Sequence, residues 1–267
     1  MNETVLYEVA DGIVTITLNR PDQLNSMTTD LLESTLEALE AAASDDGVKV
    51  VILTGAGRAF CAGGDLGGMA KGHAGGLAED GSTQSLIDRL RHSMVTSQLL
   101  HDMPKPTIAA INGACAGAGL SWACAADLRY CSERAVFNTA FATAGLSGDF
   151  GGTWTLPRIV GTGKARELYF LAEKFDSLEA ERIGLVAKRV PDANLMDEVM
   201  RVAKRLCGFA PLTLRSIKAN LNDSSNTGFS ELMNREADRH IRLGQTDDAK
   251  EAAQAFLEKR PTVFHGR

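Results

Sequence analysis

Phe60-Cys-Ala-Gly-Gly-Asp-Leu-Gly-Gly-Met69 follows the apolar run Val48-Lys-Val-Val-Ile-Leu-Thr54, with only Gly55-Ala-Gly-Arg-Ala59 between them. The run predicts a strand. The Gly-rich segment predicts a bend leading into a helix, where backbone N–H groups have no intrahelical acceptor. Gly63 and Gly64 carry no Cβ, so a ligand can lie against the main chain there. Such a bend can donate hydrogen bonds to a carbonyl oxygen without any polar side chain. It can equally be an ordinary strand–helix connection.

A second segment repeats the pattern. Thr107-Ile-Ala-Ala-Ile-Asn-Gly113 predicts a short strand, and Ala114-Cys-Ala-Gly-Ala-Gly-Leu120 predicts a small-residue bend opening a helix. Lys105-Pro106 marks a clean start, because proline cannot continue a helix backwards into the strand. Two bends, each presenting a donor at a helix start, are what a two-pronged oxyanion hole requires.

With these bends in place the chain resembles the crotonase (enoyl-CoA hydratase/isomerase) superfamily. The matching blocks are Ile16-Thr-Leu-Asn-Arg-Pro21 with Leu24-Asn25, Gly57 to Asp65, Ala110-Ile-Asn-Gly113 with Gly117-Ala-Gly119, and Gly151-Gly-Thr153 with Leu156-Pro157. They keep the family order from residue 10 to about 190, and Phe256-Leu-Glu-Lys-Arg260 is also family-like. The resemblance implies an α/β fold: a spiral of repeated ββα units with a C-terminal helical appendage. Residues 1–200 would form the core with the acyl-CoA site, and 201–267 a helical region for oligomer packing. It also implies an acyl-CoA substrate, a homotrimer or hexamer, and no metal or redox cofactor, coenzyme A entering as the substrate's thioester. The oxyanion donors are expected at Ala62 and Ala118, although family members often carry glycine at the latter. Gln23, Leu24 and Asn25, the stretch Ala62, Gly63, Gly64, Asp65 and Leu66, and Gly117 match substrate- and CoA-contacting segments. Phe141 and Trp154 are expected around the acyl group. Arg20, Lys259 and Arg260 are phosphate candidates. Asp65 is expected to close its turn by local hydrogen bonds.

Composition agrees. The 267 residues are 44% hydrophobic with a net charge of −6 and no basic cluster, which argues against a nucleic-acid surface. No stretch approaches a membrane span and no signal pattern opens the chain, so the cytoplasm is expected. Five scattered cysteines without a C-x-x-C pair read as reduced thiols rather than disulfides or a zinc site.

Periodicity predicts strands at 13–18, 48–54, 107–111, 128–131 and 136–138, and helices at 30–43, 84–101 and from about 118. The first helix is expected to be capped at Asp30 with Glu33, burying Leu32, Leu36, Leu39 and Ala43. The second presents Leu86, Leu90 and Met94 at four-residue steps. Gly67–Gly81 predicts a flap that includes His73, while His92 and His101 fall on the following helix. Four helical segments, 196–206, 212–221, 229–243 and 247–257, close the chain.

The acid/base groups distinguish activities within the superfamily. Hydratases carry one Glu shortly after the second bend and another about twenty residues later; here these positions are Ser121 and Phe141. Asp149, in Gly145-Leu-Ser-Gly-Asp-Phe-Gly-Gly-Thr-Trp154, stands where several isomerases of the superfamily carry an essential Asp. The block after it resembles ring-opening phenylacetyl-pathway isomerases. One carboxylate can take a proton from one carbon of an acyl chain and return it to another, which is double-bond migration. Burial beside Phe141, Phe150 and Trp154 would raise its pKa towards neutrality. Asp149 can alternatively cap the helix near Gly151, or act as a nucleophile as in aryl-CoA dehalogenases, though no histidine falls at the dehalogenase position. Hydration and a non-catalytic acyl-CoA binder remain the alternatives.

Overall fold

The computed structural model describes residues 3–65, 67 and 82–267. Leu66, His73 and the rest of the expected flap beyond Gly67 lie outside these residues. An antiparallel pair, β1 (Val5–Ala10) and β2 (Ile13–Leu18), leads to helix α1 (Thr29–Ser44). Three successive turns of chain then place one strand in each of two sheets. They are β3 (Val50–Gly55) with β4 (Ala59–Cys61), β5 (Thr107–Ile111) with β6 (Ala114–Ala116), and β7 (Leu128–Ser132) with β8 (Val136–Asn138). Helix α2 (Thr83–Asp102) follows the first pair and α3 (Ala118–Ala125) the second.

The chain continues through α4 (Gly152–Val160), α5 (Thr162–Leu171), β9 (Phe175–Asp176), α6 (Ser177–Arg182) and β10 (Lys188–Val190). The larger sheet has the order β1-β2-β3-β5-β7-β10, parallel from β2 onward; the smaller is β4-β6-β8-β9. This is the expected ββα spiral. Every residue of β3 is buried, as a central parallel strand covered on both faces requires.

Helix α7 (Leu195–Cys207) runs through position 200 and lays Leu195, Val199 and Ala203 on the larger sheet against Ile52 and Ile108. Helices α8 (Pro211–Ser224), α9 (Phe229–Gly244) and α10 (Asp247–Glu258) complete the chain. Lys218 of α8 ties this region to the core. Its buried ammonium donates to the carbonyls of Leu100 and Lys105 and to Asp127 Oδ2 at 2.7 Å.

Some local expectations change. Thr28, not Asp30, caps α1, its hydroxyl accepting from the Leu31 amide. Ala43 is only half-buried, and Leu31 and Ala42 take its place on the packed stripe. The predicted strand at 48 begins at Val50, because Val48 and Lys49 turn back on Asp45 and Gly12. The two-residue β9 and the three-residue β4, β6 and β10 were not legible, being too short to show a period, whereas β8 lies where a strand was expected. The five cysteines are free thiols, and burial pushes Cys61 and Cys131 up to about 12. They stay protonated and unreactive.

Candidate active site

The two Gly-rich bends meet at Gly63. With φ at +89° it takes a conformation that suits glycine, and a Cβ there would lie 2.8 Å from the Ala116 carbonyl oxygen. The same Cβ would be 3.4 Å from the Ala118 nitrogen, so the first bend is seated on the start of α3. Gly119 presses closer still: a Cβ on it would come within 2.3 Å of the Cys61 carbonyl oxygen. Small residues at these points are therefore a packing requirement as well as a ligand allowance.

Ala62 is not the free donor expected from its position. Its amide donates to the Leu24 carbonyl at 3.0 Å. Met27 N donates to Gly63 O at 2.8 Å and Asp65 N to Met27 O at 3.3 Å, pinning the bend on either side of Gly64. The Gly64 amide between them has no acceptor among the described residues, and Gly64 lines a cavity of about 320 Å³. Ala118, first residue of α3, lines the same cavity, and its amide belongs to the unsatisfied first turn. Gly64 and Ala118 are thus the two bend residues that line this space with an amide lacking an acceptor among the described residues.

Asp149 and Phe141 line the same cavity, as do Leu86 and Leu90 of α2. Asp149 Oδ1 is buried with no hydrogen-bond partner among the described residues. Burial raises its pKa from the ordinary carboxylate value of 3.8 to about 6. The carboxylate caps nothing: the N-cap of α4 is Gly151, at φ +76°, and no side chain bonds the helix start. Only the Asp149 backbone carbonyl takes part, accepting from Gly152 N at 3.1 Å.

The first position expected for a hydratase carboxylate is sealed. Ser121 is 1% exposed, and a Cβ on Gly152 would sit 2.3 Å from its Oγ and 2.6 Å from the Tyr169 hydroxyl. Phe141, at the second position, stacks on Tyr169 with ring centroids 6.0 Å apart. Tyr169 is a site neighbour that sequence reading missed, since nothing local links it to Ser121.

Other candidates scatter. Asn25 is fully buried, and its amide donates to the carbonyls of Ala56, Ala59 and Phe60 while Oδ1 accepts from Arg20 N. It is spent on holding the first bend and has nothing left for CoA. Gln23 is exposed and Leu24 lies beside it at φ +53°. Asp65 Oδ1 accepts from Gly67 N at 3.0 Å, closing a local turn. Gly117 is buried at φ +52° under Phe141. Trp154 lies outside the wall of the Asp149 cavity and lines a neighbouring one, beneath the Arg158 guanidinium at 3.8 Å. Arg260 is engaged at Nε and both Nη atoms by Glu251 and Glu258, which leaves it no free face for a phosphate, while Arg20 Nη1 donates to the Ser26 carbonyl and hydroxyl. His101 contacts Trp154 and Asp102; His92 is exposed.

The family model described as enoyl-CoA hydratase/isomerase matches residues 8–267. The chain belongs to the enoyl-CoA hydratase/isomerase family. It is 34% identical over 267 residues to the 1,2-epoxyphenylacetyl-CoA isomerase of Escherichia coli, covering all of both chains. It is also 34% identical over 263 residues to the crotonyl-CoA hydratase of Syntrophomonas wolfei, covering 98% of each. The crystal structure of an enoyl-CoA hydratase from Bacillus anthracis superposes with a TM-score of 0.91 at 30% identity, covering 99% of this chain and all of that one. Relatives of both kinds share the fold, so the choice of chemistry within the family rests on the residues around the cavity.

Proposed function

We propose that this enzyme isomerises an acyl-CoA, with Asp149 as its single acid/base. The thioester carbonyl sits between the Gly64 and Ala118 amides, which stabilise the enolate formed when a proton leaves the acyl chain. Asp149 takes that proton and returns it to another carbon, so a double bond migrates without water being added. The observation that carries this reading is Asp149 itself, a carboxylate whose buried Oδ1 has no partner among the described residues, on the wall of the cavity that Gly64 and Ala118 also line. A pKa of about 6 suits a group that must both accept and release a proton near neutrality. The chemistry calls for no metal or redox cofactor.

Hydration fits less well. It needs a second group to hold and activate water, and the two corresponding positions are a sealed serine and a stacked phenylalanine. Ring rearrangement of an epoxide, the activity in the name of the Escherichia coli relative, would use the same proton shuttle. Incubation with 3-enoyl- and 2-enoyl-CoA thioesters followed by mass spectrometry separates these outcomes. Unchanged mass with altered retention supports isomerisation, a gain of one water means hydration, and an unaltered substrate means a binder.

A further inference from the structure

A second chamber, of about 410 Å³, adjoins the Asp149 cavity and shares Phe150 with it as a common wall. Helix α2 borders both. Leu86 and Leu90 line the first cavity and Met94 the second, so the four-residue stripe read from the sequence becomes a continuous half-buried track. From Leu86 to Gln98 that track covers about 18 Å at the rise of an α-helix. A crotonyl group held between Gly64 and Ala118 would not reach its far end.

The chamber is unfilled space rather than packed core. Met94, Val95, Ala125, Phe150 and Trp154 supply its apolar lining. Phe150 itself is held in place, at φ +48° and edge-on to Trp122 with centroids 5.8 Å apart. Its ring is a fixed shoulder along which a flexible chain can pass.

We infer that the acyl group runs from the oxyanion donors along Leu86, Leu90 and Met94, past Phe150, into this second chamber. The preferred substrates are then long-chain acyl thioesters. This rests on the proposed placing of the thioester between Gly64 and Ala118, but not on which reaction follows.

Calorimetric titration of the full-length protein with butanoyl- and dodecanoyl-CoA, below micellar concentrations, tests it without any chemistry. Each methylene withdrawn from water is worth about fourfold in affinity, so even partial burial of the added chain gives at least about thirtyfold tighter binding of dodecanoyl-CoA. Met94→Trp, which narrows the passage, should cut that ratio to about threefold or less. Equal wild-type affinity for the two thioesters, or a Met94→Trp ratio unchanged in a protein of normal melting temperature, overturns the inference. Tight dodecanoyl-CoA binding with no double-bond migration in 3-dodecenoyl-CoA would instead defeat only the isomerase reading. Isomerisation of short thioesters with no chain-length preference would defeat only the chamber.

Discussion

The amide of Ala62 donates to the carbonyl of Leu24 at 3.0 Å. That bond occupies the Ala62 N–H and leaves Gly64, two residues on, as the amide without an acceptor among the described residues. Proline substitution separates the two roles, since proline removes only the N–H and fixes φ. Gly64→Pro should cut turnover by about a hundred- to a thousand-fold, the usual loss for one oxyanion donor, in a protein that melts near the wild-type temperature. Ala62→Pro should act first on stability. Steady-state kinetics alongside thermal melts tells them apart, and normal turnover in a folded Gly64→Pro protein would remove Gly64 from the site.

Ala118 sits beside Gly63 with 4% exposure, so there is little room for a larger residue. Ala118→Val should crowd the thioester and lower turnover at least about a hundredfold with the fold retained. Activity close to wild type in that variant would contradict the assigned position.

Asp149→Asn keeps the shape and removes the base. Turnover should fall by about a hundred- to ten-thousand-fold, and solvent deuterium incorporation into the acyl chain, read by NMR, should fall with it. Acyl-CoA affinity should persist, because neither amide donor is touched. Since Asp149 caps no helix, melting should not be lost; an early-melting variant that still exchanges protons would refute the mechanism.

The raised pKa of Asp149 also sets a pH dependence. Its folded-state value, about 6, lies above the ordinary 3.8, so the protonated form is favoured by folding. That stabilisation is complete below about pH 4 and is lost as pH rises through about 6. Relative to Asp149→Asn, the wild type should therefore lose stability between pH 4 and pH 7, by at most about 3 kcal/mol. Over the same range kcat/KM of the wild type should rise as the base ionises, levelling above about pH 6 to 7. Urea titrations at several pH values and a pH–rate profile check both signs.

Hydration of crotonyl-CoA should be slow beside isomerisation of a 3-enoyl-CoA. Ser121→Glu should not restore it, because Gly152 and Tyr169 fill the space around the Ser121 hydroxyl. Forcing a carboxylate in should destabilise the protein by a few kcal/mol, about what other buried unpaired charges cost. A wild-type hydration rate in the usual enzymatic range would defeat the argument from the missing carboxylates.

Local pattern by itself determined the alternation of strands and helices, the two Gly-rich bends, the four closing helices and the absence of glutamate at residues 121 and 141. Each of these is written in neighbouring residues: apolar runs, helical stripes, and glycine or alanine where the backbone must come close. Which amide is free, and which polar group is spent, are not local properties. Ala62 and Gly64 look alike in the sequence until Leu24 is brought against one of them. Asn25 looks like a ligand residue until its amide is seen bonded to Ala56, Ala59 and Phe60. Asp149 resembles a helix cap until Gly151 takes that place and the carboxylate is left in a cavity without a partner. Trp154 shares its block with Asp149 yet lines the neighbouring chamber and not the cavity of Gly64 and Ala118. Hydrogen bonds are exclusive and burial depends on what packs from distant segments, so only the tertiary structure could decide these four.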